Sequence, residues 1–198
     1  MATAGLDRAA AVRRALRTLV AQRGFHGASM AAVARAAGVA TGTTYTHYSS
    51  KSELVLAAYV ETKASLAAAA TAGLESSAGP AERFNSMWLA TYRHLAGDRE
   101  QAVFLLQVDC SPYRADAHRA ALAGAGDPLL EQASRPDLAA HLLPLPLEVL
   151  YELGLAPAVR LAADGADFAR DELETIARAC WRAISRPEGW TGDVRSPP

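Results

Sequence analysis

The segment Ala36–Leu54, AAGVATGTTYTHYSSKSEL, decides the fold predicted for this chain. Gly38 can adopt a left-handed backbone at the end of one helix, and Val39 can fill the angle between two helices. Upstream, Ser29 is suited to cap a short supporting helix. The apolar positions of that helix recur at a spacing of three and four: Met30, Val33, Ala34 and Ala37. The pattern predicts a tight helix-turn-helix.

The second helix of the motif is predicted to begin with Thr41 as its cap and to turn Thr44 and Tyr48 inward. Its outer surface then consists of Thr41, Gly42, Thr43, Tyr45, Thr46 and His47, with no acidic residue. Short hydrogen-bonding side chains allow a helix to approach the major groove of DNA closely. Lys51 follows two serines, so its ammonium and the hydroxyls can converge on a phosphate. The alternative is a solvated polar helix with an ordinary cap.

From about Val12 to Tyr59 the sequence resembles the DNA-binding domain of the TetR family of bacterial transcriptional regulators. In that family a GVS-like turn precedes a recognition helix that reads GTLYxHF, and a lysine opens the fourth helix. The matching segments here are Gly38–Ala40, Gly42–Tyr48 and Lys51. Two residues depart from the pattern: Ala40 replaces a serine and Thr44 replaces an aliphatic residue. Each departure costs about 1 kcal/mol or less, so neither overturns the resemblance.

The resemblance implies that the recognition helix and its neighbours contact DNA. The residues concerned are Ser29, Thr41, Gly42, Thr43, Tyr45, Thr46, His47 and Lys51. The recognition helix carries no arginine, so sequence preference is expected to depend on apolar contact and DNA shape. Near the N-terminus, Arg8, Arg13 and Arg14 either add phosphate or minor-groove contacts or remain solvated on the helix surface.

Charge is distributed unevenly along the 198 residues, although the formal net charge is only −1. Residues 1–53 contain seven Lys and Arg against two Asp and Glu, whereas the remainder contains thirteen against nineteen. A basic head on an acidic body is typical of a DNA-binding protein. We therefore predict a DNA-binding domain over 1–53 and an effector-binding and dimerisation domain over 54–198.

The composition predicts an all-α fold of about nine helices, because helix-favouring residues dominate and alternating β-branched runs are absent. Helix one is expected over Asp7–Arg23, and a long fourth helix is expected to link head and body. After a loop over Thr71–Pro80, the later helices are expected over Ala81–Leu95, Glu100–Asp109, Pro144–Ala163 with a kink at Pro157, and Phe168–Ser185, with a segmented region between Tyr113 and Leu143.

No stretch is long and apolar enough for a membrane span, and no secretory leader is apparent, so we expect a cytoplasmic protein. Cys110 and Cys180 lack metal-ligand spacing and are expected to be small buried residues. We expect no metal and no cofactor.

Aromatic and polar residues of the body are predicted to line an effector pocket: Trp88, Tyr92, Phe104, Gln107, Cys110, Tyr113 and Tyr151. Plain core packing is the alternative for each of them. By family resemblance the last two helices form a four-helix bundle with a symmetry mate. The predicted dimer interface consists of Leu147, Gly154, Ala158, Leu161, Leu173, Ala177, Cys180 and Ile184.

The function predicted is a ligand-responsive repressor that binds a palindromic operator as a homodimer and is released by a small-molecule effector. It is not expected to be an enzyme, because the body shows no HExxH motif, no phosphate-binding glycine loop and no activated nucleophile. Two alternatives remain open: a helical carrier or enzyme that keeps the helix-turn-helix as a packing element, and a regulator controlled by a partner protein or by abundance.

Overall fold

The computed structural model describes residues 2–74, 78–123 and 128–187 and contains twelve α-helices in those ranges. The helices are α1 (Ala2–Gly27), α2 (Met30–Ala36), α3 (Thr41–His47), α4 (Lys51–Thr71), α5 (Pro80–Gly97), α6 (Arg99–Asp109), α7 (Arg114–Ala123), α8 (Pro128–Ser134), α9 (Pro136–Ala139), α10 (Leu147–Gly154), α11 (Ala156–Asp164) and α12 (Arg170–Ile184). The all-α prediction is confirmed. The higher helix count arises because the segmented region forms three short helices and the proline-containing one divides in two.

The helix-turn-helix is built by the local signals that predicted it. Gly24 is non-helical (φ 65°, ψ 179°), so the regular part of α1 ends at Arg23. Ser29 caps α2 by accepting a hydrogen bond from the Ala32 amide at 3.2 Å. Gly38 has a left-handed backbone (φ 68°) between α2 and α3. The prediction of Thr41 as a cap is wrong by one residue, because Ala40 precedes α3 and has no side chain that can cap it.

Head and body share a continuous hydrophobic core. Helix α1 packs against α2 and α4 in the head and also against α6 of the body. Helix α5 lies centrally in the body, where it contacts α4, α11 and α12. The largest fully buried side chains include Trp88, Phe104, Leu16, Leu54 and Leu66. Helix α4 crosses the predicted domain boundary at residue 53, and Leu54, just after that boundary, is fully buried. The core of the head therefore extends into the start of the long helix.

Polar contacts supplement this packing between helices distant in sequence. Glu61 of α4 accepts hydrogen bonds from Arg13 at 2.6 Å and from Arg17 at 2.5 Å. Glu100 of α6 accepts from the hydroxyl of Thr18 on α1 at 2.5 Å. The position of α1 is therefore fixed by ionic and polar contacts to both α4 and α6.

The end of the body follows the predicted breaks with one difference. Pro157 lies in the first turn of α11, and the chain forms two helices, α10 and α11, rather than one kinked helix. Gly165 (φ 69°) ends α11 with a left-handed backbone.

Cys180 is buried as expected, but Cys110 is exposed, so its prediction as a buried residue is wrong. Within the described residues, no helix has the length and hydropathy needed to cross a membrane.

Candidate functional site

Helix α3 presents an exposed polar face because Thr44 and Tyr48 on its other side are buried in the protein. Thr44 is fully buried and its hydroxyl donates to the Thr41 carbonyl at 2.6 Å, which satisfies the polar group that replaces an aliphatic side chain. Tyr48 is also buried. On the opposite face Tyr45 is 53% exposed.

The predicted DNA-binding residues lie mostly on this exposed face. Thr41, Gly42, Tyr45 and Thr46 are exposed, whereas Thr43 and His47 are half-buried. Ser29 is exposed at the start of α2. The Thr46 hydroxyl donates to the Gly42 carbonyl at 3.0 Å, which leaves its oxygen available as an acceptor. Apart from the half-buried pair, the geometry agrees with the outer surface predicted from the sequence.

Lys51, at the start of α4, contacts the last turn of α1. Its ammonium donates to the Phe25 carbonyl and lies 5.8 Å from the centroid of the Phe25 ring. Burial lowers the pKa of Lys51 below its ordinary value. An ammonium has three donors, so one contact within the protein leaves two for another acceptor.

The serines before Lys51 are engaged within the chain rather than free for a phosphate. Ser50 caps α4 by accepting from the Glu53 amide at 3.1 Å. The amide and hydroxyl of Ser49 both donate to Glu53 Oε2 at 2.7 Å. These hydrogen bonds lower the pKa of the Glu53 carboxyl. This pairing was not predicted from the sequence, although a serine three or four residues before a glutamate is the usual signal for it.

Arg13 has an internal role rather than a free surface position. Its guanidinium donates to the Tyr48 hydroxyl at 2.6 Å as well as to Glu61. Hydrogen bonding to Glu61 raises the pKa of Arg13 further above its ordinary value. Arg13 thereby connects the end of the recognition helix to α1 and α4, while Arg8 and Arg14 are exposed.

A cavity of about 160 Å³ lies in the body between α4, α7, α8 and α10. Its wall is formed by Tyr59, Lys63, Arg114, His118, Ala121, Leu122, Leu129, Ala133, Leu147, Glu148, Tyr151 and Glu152. Of the ligand-binding residues predicted from the sequence, Tyr151 alone belongs to this wall. The cavity therefore does not lie next to Trp88, Tyr92 and Phe104, where the pocket was predicted.

Polar groups of the cavity wall form a partly connected set. His118 bonds to Asp109 at 2.8 Å and stacks on the Tyr59 ring, with centroids 5.7 Å apart. The Lys63 ammonium lies 4.7 Å from the centroid of the Tyr151 ring. The sequence contained one usable signal for this wall, since Tyr59 and Lys63 are four residues apart on one face of a long helix.

The remaining predicted ligand residues divide into two other places. Trp88, Tyr92 and Phe104 are buried core residues, with the Trp88 and Tyr92 rings stacked at 6.2 Å. Gln107, Cys110 and Tyr113 instead line a separate crevice beside Phe25 and Lys51, and Gln107 is exposed rather than turned toward Trp88. The structure therefore does not bring the predicted set together, because α6 turns Gln107 away from the interior that Phe104 occupies.

Six of the eight residues predicted for the dimer interface are buried inside their own chain. These are Gly154, Ala158, Leu173, Ala177, Cys180 and Ile184. The apolar face read from helical spacing packs inward, where α12 contacts α5 and α10. Leu161 is half-buried and Leu147 is exposed. The exposed apolar residues near α10 are Leu145, Leu147, Val149 and Leu153.

Comparison with known families identifies both parts of this architecture. Residues 12–58 match the model for bacterial regulatory proteins of the tetR family, which covers the helix-turn-helix and the start of α4. Residues 80–185 match the tetracyclin repressor-like C-terminal domain, which covers the body from α5 to α12. The chain belongs to the TetR family of bacterial transcription regulators. No functionally curated protein matches it.

Solved TetR-family structures share the fold of this TetR-family chain over nearly its whole length. A regulator from Marinobacter aquaeolei VT8 is 19% identical with a TM-score of 0.77, covering 94% of this chain and 100% of the other. One from Haemophilus influenzae Rd is 24% identical with a TM-score of 0.77, covering 92% and 99%. A TetR-family protein from Vibrio parahaemolyticus is 26% identical with a TM-score of 0.71, covering 91% and 100%.

Proposed function

We propose that this TetR-family regulator is a cytoplasmic homodimeric repressor that binds a palindromic operator through α3 and is released by a small effector. The effector site is the cavity between α4, α7, α8 and α10. No catalytic activity is required for this role. Two recognition helices related by a twofold axis would lie about one DNA turn (~34 Å) apart, which predicts a palindromic operator.

One observation carries the proposal: the same helix contacts both sites. Helix α4 begins at Lys51, beside the exposed face of α3, and continues to Tyr59 and Lys63 in the cavity wall. A ligand that favours a different position of α4 therefore changes the position of the head that α4 carries. A coupling free energy of about 1–3 kcal/mol is enough to reduce operator affinity 5- to 150-fold.

DNA binding is tested by titrating the protein against the DNA flanking its own gene, with a random duplex as control, at several salt concentrations. Lys51→Met should weaken operator binding and reduce the slope of log affinity against log salt by about 1 if its ammonium contacts a phosphate. Arg93→Met is the matched control, because Arg93 is an exposed cation on α5 of the body. Equal affinity for operator and random duplex would contradict the regulator proposal.

Dimerisation is assigned to Leu145, Val149 and Leu153, the exposed apolar residues around α10 outside the cavity wall, rather than to the buried face. Leu153 is 44% exposed, so Leu153→Glu should yield a monomer with an unchanged helical circular dichroism spectrum. Ala96→Glu adds the same charge at an exposed position of α5 and should leave the dimer intact. Sedimentation velocity separates these outcomes. A dimer that persists in Leu153→Glu would place the interface elsewhere.

A further inference from the structure

Tyr59 is the most buried of the polar residues that line the cavity. Tyr59 is 4% exposed, and its hydroxyl has no hydrogen-bond partner among the residues that the structure describes. Its oxygen retains accessible surface although the residue is mostly buried, so the hydroxyl can donate to an acceptor supplied by a ligand. Burial, together with the nearby negative charge of Asp109, raises the pKa of Tyr59, so its phenol remains a donor at neutral pH.

Two cations on the same wall have little neutralisation within the chain. Lys63 has an aromatic ring as its close partner and no carboxylate within 4.0 Å in the described part of the chain. Arg114 reaches Glu152 only at 4.0 Å. Glu152 is already paired with Arg160 at 2.9 Å. The wall therefore offers positive charge close to the unpartnered phenol.

The acidic groups near the cavity are hydrogen-bonded or paired within the chain, or they are solvated. Asp109 is paired with His118 at 2.8 Å, and Glu152 is shared by two arginines. Glu148 is exposed in the first turn of α10, where the amide ends of a helix favour a carboxylate. Since the Tyr59 hydroxyl is a donor without a hydrogen-bond partner in the described residues and Glu148 is exposed to solvent, a negatively charged hydrogen-bond acceptor suits the cavity better than an amine.

The rest of the wall is apolar and suits an apolar part of an occupant. Ala121, Leu122, Leu129, Ala133 and Leu147 form this part. The volume of about 160 Å³ is close to the ~150 Å³ of an apolar protein cavity that holds one benzene molecule. A single ring or a short chain with a small head group therefore fits.

We propose that the effector is a small monocarboxylic acid with one apolar ring or a chain of comparable size. Its carboxylate accepts from Tyr59 and pairs with Lys63 and Arg114. Its apolar part lies against Leu122, Leu129 and Leu147. This inference rests on the proposed function for its regulatory meaning, but the binding site it describes can be tested without DNA.

Calorimetry on the full-length protein without DNA provides the test, with benzoate as the probe and benzamide and benzylamine as ring-matched neutral and cationic compounds. Benzoate should bind about tenfold more tightly than benzamide, because the amide loses the charge pairing, and benzylamine should bind more weakly still. An affinity order in which benzylamine exceeds benzoate would overturn the proposal.

Variants with matched controls locate the head group. Tyr59→Phe should weaken benzoate binding about tenfold without lowering the melting temperature of the ligand-free protein, because it removes a hydroxyl that has no partner. Tyr92→Phe is its control: the Tyr92 hydroxyl donates to the Ala166 carbonyl at 3.2 Å, so its loss should lower the melting temperature and leave benzoate affinity unchanged. Unchanged benzoate binding in Tyr59→Phe would overturn the proposal.

The contribution of the Arg114 charge on α7 to benzoate binding is tested separately. Arg114→Gln should weaken benzoate binding about tenfold, whereas Arg119→Gln, on the exposed side of the same helix and paired with Asp116, should not. Equal loss in both variants would show a general charge effect and contradict the site.

Benzoate binding without operator release would support the proposed ligand class and contradict the proposed release mechanism. Specific operator binding with no benzoate binding would contradict the ligand class alone.

Discussion

Glu61 holds the DNA-binding head on the long helix, and Glu61→Gln measures that connection. The carboxylate accepts from Arg13 at 2.6 Å and from Arg17 at 2.5 Å, and the Glu61 side chain is 36% exposed. The neutral amide retains the shape of the side chain but loses both ion pairs. Two arginines of α1 then lose their acidic partner on α4.

The expected loss of stability lies between the values for buried and surface pairs. Hydrogen bonds to charged groups contribute about 1.5–3 kcal/mol each when buried, and exposed ion pairs contribute about 0.2–1 kcal/mol. Because Glu61 is more than a third exposed, the surface range weighs more heavily, and we expect a total of about 1–2 kcal/mol. For a chain of this size that loss lowers the melting temperature by about 2–8 °C.

The pH dependence gives a second signature of the same contact. Burial alone would raise the pKa of Glu61, but hydrogen bonds from Arg13 and Arg17 outweigh it and lower the pKa below its ordinary value of 4.5. A carboxyl with a lowered folded pKa stabilises the protein above its unfolded pKa and loses that contribution as pH falls through the folded pKa. The difference between wild type and Glu61→Gln should therefore be constant near neutrality and shrink below about pH 4.5.

Thermal denaturation followed by circular dichroism, from about pH 7 to about pH 4, measures both effects. Glu174→Gln is the matched control, because Glu174 pairs with Arg170, four residues away on the same helix α12. Its loss should be about 0.5 kcal/mol or less. A Glu61→Gln variant that melts with the control, or a difference that does not change with pH, would refute the assignment of Glu61 as the link between α1 and α4.

Three further predictions test the packing. Trp88→Ala should destabilise the protein by about 3–5 kcal/mol in denaturant titration, because Trp88 is fully buried in the core; a loss under 1 kcal/mol would contradict that placement. Ser29→Ala should cost about 1 kcal/mol through loss of the cap on α2, and an unchanged melting temperature would count against the cap. Gly154→Ala places a Cβ 3.1 Å from Ile184 Cδ1 of the same chain, so stability should change by about 1 kcal/mol or less and dimerisation not at all; dissociation seen by sedimentation would restore Gly154 to the interface.

The sequence was informative where a structural feature depends on neighbouring residues. The left-handed turn at Gly38, the cap at Ser29 and the inward positions of Thr44 and Tyr48 were predicted and are present. Backbone preference and helical periodicity act within a few residues, so a single chain contains enough information to specify them.

The cavity could not be predicted in the same way because its wall is assembled from four helices. Tyr59 and Tyr151 lie on helices far apart in the chain, and His118 reaches them from a third. Helical spacing shows which residues share a face, but it does not show which neighbour that face contacts. For this reason Gln107 was assigned to an interior that α6 turns it away from.

The helical class, the helix-turn-helix and the polar surface of α3 could be predicted from the residues alone, because these follow from local conformational preference and from charge. The tertiary structure decided that the small apolar face of Gly154 and Ala177 packs inside its own chain, that Lys51 binds the Phe25 carbonyl, and that the cavity lies beside Tyr59 rather than Trp88. These outcomes depend on how the helices cross, and crossing is set by contacts between residues distant in the sequence.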